Sequence, residues 1–166
     1  MNIDLQKTLL NRYVKFFRSS ADMRPFDERG FECEDGWFEI IDQLSSACET
    51  EIEALVADGL DKSQWPRVSQ IKEKFGSLRF RANGVVSAEL REKFSRAEVA
   101  SLHTCEKCGA PGRLRKQGGI HTYCDSCQVD HNASLSTKTN GFSAVSWDVY
   151  LQHRELIQTL LASRGS

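Results

Sequence analysis

The chain carries Cys105-Glu106-Lys107-Cys108 and, after 15 further residues, Cys124-Asp125-Ser126-Cys127. This spacing matches the pattern of a four-cysteine zinc site, in which two Cys-x-x-Cys pairs stand about 15 to 20 residues apart. A gap of two residues lets one tight turn aim two thiolates at a point ~2.3 Å away, and two such turns supply the corners of a tetrahedron. Two redox disulfides, or free thiols, are the alternative.

Four cysteines would close the coordination shell of the metal, whereas a catalytic zinc keeps one position open for water or substrate. The spacing therefore predicts one structural Zn²⁺ per chain, without a catalytic role. The expected ligands are Cys105, Cys108, Cys124 and Cys127.

The residues around the two pairs predict a zinc ribbon at residues 103–128. Turn formers follow the first pair in Gly109-Ala110-Pro111-Gly112, and Gly118-Gly119 divides the segment between the pairs. Glycine permits positive φ and proline presets a turn. Apolar side chains at Leu114, Ile120 and Tyr123 flank the glycines, so we expect a small hairpin between the ligand pairs.

Composition is typical of a globular protein. The 166 residues are 40% apolar and 27% charged, which fits one domain, or one domain with a small module. The amino terminus lacks a basic region of the kind that begins a signal peptide, and no run of about 18 apolar residues predicts a membrane span. With four of six cysteines read as metal ligands, we expect a reducing, cytoplasmic location in a bacterial cell and no membrane partner.

The formal net charge of −1 hides an uneven distribution. Residues 21–63 hold thirteen acidic and three basic side chains, whereas residues 64–127 hold twelve basic and six acidic ones. In one interpretation this is a solvated surface on which the two regions compensate each other. The functional interpretations are a basic face for nucleic acid and an acidic face for a basic protein partner.

Apolar spacing predicts four helices, at residues 3–18, 36–58, 87–101 and 147–162. The second is the clearest, because one apolar stripe repeats along it every three or four residues and Gly59 follows its end. Cys48 lies on that stripe and is expected to be a buried small hydrophobe; a disulfide with Cys33 is the alternative. The stripe consists of Trp37, Ile41, Leu44, Cys48, Ile52 and Leu55.

A β-hairpin is predicted at residues 67–82. In its second half, Leu78 and Phe80 alternate with Arg79 and Arg81, the pattern of a half-buried strand. The hairpin should therefore have one apolar face and one basic face.

The first half of the hairpin places Ile71 and Phe75 on one side of the strand, and Gly76-Ser77 is the expected turn. Val68 is out of phase with Ile71, which predicts a bulge or a late start of the strand.

The predicted fold class is α+β: helices packed on a small antiparallel β-hairpin, with the four-cysteine ribbon inserted before the last helix. Residues 1–102 would form the helical core with the hairpin, and residues 103–128 the ribbon. Residues 129–166 would form a loop and a C-terminal helix that packs back on the core. Residues 21–35 are expected to be a polar loop anchored by Phe26 and Phe31.

Three stretches in this order, at residues 35–42, 70–80 and 105–125, resemble a group of small, mostly uncharacterised proteins carried by bacteriophages and prophages. The resemblance covers about residues 31–127. It implies a life inside a bacterial cell and accessory work against or for the host. It implies no activity and brings no catalytic residues.

Among enzymes, a metal-dependent nuclease of the His-Asn-His type is the first to weigh, because such folds also carry Cys-x-x-Cys pairs. The segment of 15 residues between the pairs leaves too little room for the catalytic segment. His121 and His131 also lack a partner carboxylate at a recognisable offset. Any histidine, including His103 and His153, could instead replace a cysteine ligand.

The sequence therefore favours a non-enzymatic zinc-binding interaction protein, for example a phage-borne modulator of a host protein that works in defence or on DNA. Its partner would be a host or phage protein, held at acidic residues that include Glu39, Asp42 and Glu49. The alternative is a nucleic-acid-binding protein that uses the hairpin and the ribbon to contact phosphates. The residues predicted for that role are Arg67, Lys72, Lys74, Arg79, Arg81, Arg113, Arg115 and Lys116.

Overall fold

A computed structural model of the chain describes residues 1–18, residue 26 and residues 29–138. It shows the mixed fold of helices and strands that the sequence predicts. Within these residues, no helix has the length and apolar character that a membrane crossing requires. The helices are α1 (Ile3–Arg12), α2 (Phe38–Ala57), α3 (Ala88–Ser101) and α4 (Asp125–Lys138), and the strands are β1 (Phe31–Glu32), β2 (Arg67–Lys74), β3 (Ser77–Asn83), β4 (Arg113–Arg115) and β5 (His121–Tyr123).

The core forms around α2, whose predicted apolar stripe is buried from Trp37 to Ile52, whereas Leu55 is only half-buried. A 3-10 turn at Asp35–Trp37 leads into this helix and carries the fully buried side chain of Trp37. Cys33 and Cys48 are buried free thiols, so the alternative of a disulfide between them is wrong. Phe26 and Phe31 lie in the same core, as expected of the anchors of the preceding loop.

The predicted hairpin is part of a three-stranded sheet with the order β1-β2-β3. The strands β2 and β3 are antiparallel, with Ile71 opposite Phe80 on the buried face. The register shifts between Val68 and Gln70, which confirms the predicted irregularity at Val68. On the other side of β2, the short strand β1 pairs in parallel, so this part of the expected polar loop at residues 21–35 is a strand.

The turn of the hairpin lies one residue earlier than predicted. Phe75 and Gly76 form it, with φ of 55° and 80°, and Ser77 is already the first residue of β3. Positive φ at two adjacent central residues is the geometry of a tight two-residue hairpin turn. Phe75 therefore points away from the buried face and is 65% exposed, which corrects its expected place beside Ile71.

Two helices differ from the prediction. The first ends at Arg12, because Tyr13 leaves the helical region with φ of −117° and ψ of 61°. After Cys127, where an irregular loop was expected from residue 129, α4 continues to Lys138. The predicted helix at 147–162 lies outside the described residues.

Candidate metal centre

The structure brings the four predicted ligand cysteines together. Their sulfur atoms all lie within 4.8 Å of one another. The sulfurs of Cys108 and Cys124, one from each pair, are 3.7 Å apart. Four sulfurs at ~2.3 Å from a central ion in a tetrahedron would be separated by about 3.8 Å, so the cluster has the size of a four-thiolate metal site.

The first pair sits on a tight turn held by backbone hydrogen bonds. The amide of Gly109 donates to the carbonyl of Cys105 at 2.8 Å, and the amide of Cys105 donates to the carbonyl of Ala110 at 2.7 Å. Gly109 has φ of 79°, a conformation that glycine adopts without a steric cost. This turn aims the buried sulfur of Cys105 and the exposed sulfur of Cys108 at the same point.

The second pair lies at the amino end of α4. Cys124 directly precedes the helix and Cys127 lies in its first turn, where unpaired amides and the helix dipole favour negative charge. The Ser126 hydroxyl lies 3.2 Å from the Cys124 sulfur, and the Cys127 amide donates to that sulfur at 3.4 Å. These hydrogen bonds, the one from Ser126 first, lower the pKa of Cys124 to about 6. Cys124 therefore favours the thiolate, the form that binds a metal, whereas burial raises the pKa of Cys127.

Ion pairs join β4 to the start of α4 beside the second pair. Arg113 and Arg115 both contact the carboxylate of Asp125, with a nitrogen–oxygen distance of 2.9 Å for Arg113. Their hydrogen bonds and charges, led by the hydrogen bond from Arg115, hold the pKa of Asp125 below its usual value. Two of the arginines predicted to contact phosphates are thus paired within the ribbon.

The turn of the first pair packs directly on the start of α2. The amide of Gly36 donates to the carbonyl of Glu106 at 2.6 Å, and the indole of Trp37 donates to the carbonyl of Thr104 at 2.9 Å. A Cβ atom on Gly36 would lie 2.1 Å from the carbonyl oxygen of Cys105, so no larger residue fits there. The ribbon is therefore docked on the core through backbone contacts, without a flexible linker.

A buried carboxylate completes this docking surface. Glu106 is 3% exposed; one of its oxygens accepts from the Glu34 amide at 3.2 Å, and the other has no hydrogen-bond partner among the described residues. Burial raises the pKa of Glu106 to about 7. The Tyr123 hydroxyl donates to the Glu34 side chain at 2.7 Å, which ties β5 to the same loop.

The ribbon also contacts the tip of the β2–β3 hairpin. The Thr122 hydroxyl donates to the carbonyl of Gly76 at 2.6 Å, and a Cβ atom on Gly76 would lie 2.2 Å from the Leu114 side chain. Helix α4 packs on the other end of the ribbon, where a Cβ atom on Gly118 would lie 2.2 Å from Leu135. Core, hairpin, ribbon and α4 thus meet around the four-cysteine cluster.

Sequence reasoning found the four cysteines and missed the residues that seat them. Gly36, Trp37 and Glu106 act through tertiary contacts, and no local pattern reveals these. The one sequence feature that could have pointed to Gly36 and Trp37 is the stretch Asp35-Gly36-Trp37, which contributes to the family resemblance.

The basic residues of the hairpin lie on one face of the sheet, as predicted. Lys72 is directly opposite Arg79, and residues that face each other across an antiparallel pair share a face. Arg79 is 24% exposed and forms an ion pair with Glu98 of α3. Arg81 is exposed on the same face.

The remaining residues of the basic set lie around the hairpin and the ribbon. Arg67 is half-buried, and Lys116 is exposed in the β4–β5 connection. Lys74 is exposed and lies over the ring of Phe75, with its Nζ atom 5.3 Å from the ring centre. Of the eight basic residues, Arg79, Arg113 and Arg115 form ion pairs with carboxylates of the protein itself.

Two of the three acidic residues predicted to meet a partner serve the fold. Asp42 pairs with Arg12 at 2.6 Å and accepts from the Tyr13 hydroxyl at 2.9 Å. Glu49 accepts the amides of Lys15 and Phe16 at 3.2 and 2.9 Å, just after α1 ends. Only Glu39 of this set is exposed, so the acidic side of α2 acts mainly as an attachment for α1.

The described histidines lie outside the sulfur cluster. The rings of His121 and His131 pack around Tyr123, with centres 5.0 and 5.4 Å from the tyrosine ring. His103 is exposed, and its carbonyl accepts the amide of Gly112 at 2.8 Å. His153 is outside the described residues.

Fold and site together define an α+β protein with a cluster of four cysteines that could hold a metal ion. The chain matches no known family profile, no curated protein and no solved structure.

Proposed function

We propose that the metal is a zinc ion and that its role is structural. The donor set supports this, because a tetrahedron of four thiolates suits zinc and leaves no position for water or substrate. The docking supports it as well: the turn of the first pair lies against Gly36, and the second pair begins α4. The ion thereby holds together the parts of the chain that surround it.

One exposed residue, Phe75, indicates where the protein could bind a partner. Phe75 is 65% exposed within the described residues and has φ of 55°, which is costly for an aromatic residue. Asparagine or glycine would form the same turn with less strain. The fold gains little from a phenylalanine that is both strained and solvated. Aromatic side chains of this kind are common anchors of binding surfaces.

The surroundings of Phe75 complete a binding surface. Leu114 of the ribbon is 45% exposed and touches the adjacent Gly76, and Lys74 lies over the phenylalanine ring. We propose that the protein is a non-enzymatic interaction protein and that this hairpin tip, comprising Lys74, Phe75 and Leu114, contacts a protein partner. The phage resemblance supports a modulator of a host protein that acts inside the bacterial cell.

Replacing Phe75 by asparagine is expected to change stability and binding in opposite directions. The free energy of unfolding should rise by about 1 kcal/mol, because asparagine tolerates positive φ. Mass spectrometry identifies the partner that the parent protein captures from a bacterial lysate. The Phe75→Asn variant should no longer capture that partner. Denaturant unfolding measures the first effect and affinity capture the second.

Val85→Asn is the matched control, since Val85 is an exposed apolar residue that follows β3, at the end of the hairpin opposite to Phe75. It should capture the partner as the parent does. A Phe75→Asn protein that still captures the same partner at the parent level would contradict the proposed surface.

Nucleic acid is a second candidate partner, supported by the basic face of the hairpin. Lys72 and Arg81 lie on that face, and an aromatic ring at its edge could stack on a base, as in proteins that bind single strands. In this candidate function, Phe75 would stack on a base. The affinity for nucleic acid would depend mainly on contacts between the basic side chains and phosphates, so it would fall steeply with salt.

Reversing the charges of Lys72 and Arg81 to glutamate separates the two candidates. If nucleic acid is the partner, a gel shift with single-stranded DNA or RNA at low salt should weaken by about tenfold or more in the double variant. Lys7→Glu on α1 provides a control reversal on another element. If the parent protein does not shift either nucleic acid at low salt, the second candidate is wrong and the protein partner stands.

A further inference from the structure

The four cysteines of the cluster divide into a buried half and an accessible half. Cys105 is fully buried and Cys127 nearly so, and both pack with the ring of Tyr123 in a small core of the ribbon. Within the described part of the chain, Cys108 is exposed and Cys124 is half-buried. Each half contains one cysteine of each pair, so the division runs across the two Cys-x-x-Cys turns.

The surroundings of the two accessible sulfurs also face solvent. Lys107 and Gly109, which flank the first of them, are exposed, and so is Ser126, close to the second. A small oxidant dissolved in water therefore reaches these two sulfurs, whereas the protein covers the other two. The remaining thiols of the chain, Cys33 and Cys48, are buried in the main core, and buried cysteines of this kind are inert.

The two accessible sulfurs lie beside each other. Their separation is 3.7 Å, so they need to approach by about 1.7 Å to reach the length of a disulfide bond. The Ser126 hydroxyl lies 3.2 Å from the sulfur of Cys124, and the Cys127 amide donates to it at 3.4 Å. These contacts hold the sulfur of Cys124 next to that of Cys108.

We propose that Cys108 and Cys124 form a reversible oxidation site, at which a hydroperoxide converts the two ligands into a disulfide and thereby releases the metal. The inference rests on the structural zinc proposed above. The thiolate of Cys108 attacks one oxygen of the peroxide: an S–O bond forms, the O–O bond breaks and hydroxide leaves. The thiolate of Cys124 then attacks this sulfenic acid, so that an S–S bond forms, the S–O bond breaks and a second hydroxide leaves. The two sulfurs together lose two electrons, which reduce the peroxide.

The disulfide removes half of the ligand set. The two buried thiolates, of Cys105 and Cys127, remain, and two thiolates do not complete the tetrahedron that zinc requires. The new bond also joins the turn of the first pair to the start of α4, so the two pairs stay together after the ion has left. Reduction of the bond in the presence of zinc can therefore restore the site.

Peroxide treatment of the full-length, zinc-loaded protein tests the proposal. Elemental analysis first establishes the zinc content, and a chromogenic indicator then follows the release of zinc after hydrogen peroxide is added. We expect about one zinc ion to be released for each disulfide that forms. Dithiothreitol with added zinc should return the protein to its original zinc content.

Peptide mapping identifies the cysteines that pair. Trypsin cleaves after Lys107, between the first two ligands, and a protease that cleaves before aspartate cuts at Asp125, between the other two. After the free thiols have been alkylated, the expected product joins the peptide of Cys108 to that of Cys124. The other four cysteines should all carry the alkyl group.

Two results would overturn the proposal: a first disulfide within either Cys-x-x-Cys pair, or zinc that stays bound in excess peroxide. Cys33→Ser is the matched control, because it removes a buried thiol outside the site and should release zinc at the parent rate. Slower release from this variant would show that a core thiol takes part and would contradict the proposed pair. A parent protein without zinc before peroxide is added would refute the structural zinc as well, whereas zinc retained under peroxide refutes only the oxidation site.

Discussion

Replacing Cys108 by serine is expected to abolish zinc binding and to destabilise far more of the protein than the ribbon. Elemental analysis should find one zinc per parent chain and less than about a tenth of that in the variant, because a serine hydroxyl is a poor substitute for a thiolate. The free energy of metal binding is folding free energy in sites of this kind, on the order of 10 kcal/mol in small zinc domains. We therefore expect a loss of several kcal/mol in stability.

The structure extends that loss into the core. The turn that carries Cys108 lies against Gly36, and the carbonyl of Thr104, just before this turn, accepts the indole hydrogen bond of the fully buried Trp37. Cys33→Ser is the matched control, since it makes the same change at a buried thiol outside the site and should keep one zinc per chain. A Cys108→Ser protein with full zinc content and an unchanged melting temperature would contradict both the site and its docking.

The features that the sequence predicts correctly rest on local patterns. The spacing of the cysteine pairs follows from the geometry of a tight turn, so it predicts the cluster without knowledge of the rest of the chain. The same holds for α3, predicted at residues 87–101: the Ser87 hydroxyl caps the start of the helix by accepting the Leu90 amide at 3.0 Å. The phase of Val68 within β2 was enough to predict an irregularity at that residue.

The features that it misses depend on contacts between distant residues. Strand β1 is two residues long, and its parallel pairing with Ile71 and Lys72 leaves no periodic signal. Helix α4 is largely polar and has no apolar stripe. It begins at the second cysteine pair, and Leu135 packs against the turn at Gly118. The helix is therefore stabilised by contacts with the ribbon, which the pattern of its own residues does not predict.

Charge gives the clearest case of a pattern with two meanings. The acidic residues of α2 suggested a surface for a basic partner, yet Glu49 accepts two backbone amides that α1 leaves unpaired beyond its end. Composition reports how many carboxylates a segment has, whereas their role depends on which donors the fold brings to them. Phe75 is the opposite case. The alternation along the strand placed it on the same side as the buried Ile71, but the turn leaves its side chain exposed.

Replacing Gly36 by alanine is the second change with a large expected effect. The added Cβ atom would lie 2.1 Å from the carbonyl oxygen of Cys105, 2.4 Å from the amide nitrogen of Gly109 and 2.6 Å from that of Cys108. All three are backbone atoms of the turn that carries the first ligand pair. A rotamer change cannot relieve such a contact, so the start of α2 and the ligand turn must move apart.

We expect Gly36→Ala to lose about 3 kcal/mol or more in denaturant unfolding, at the upper end of what overpacking costs. It should also release zinc to a competing chelator faster than the parent, because the displaced turn holds two of the four ligands. Gly59→Ala provides the comparison: Gly59 has φ of 77° and no atom within 4 Å of its Cβ position, so that variant bears backbone strain alone, about 1 kcal/mol. If Gly36→Ala lost no more stability than Gly59→Ala and kept its zinc equally well, the ribbon would not be seated on the core at Gly36.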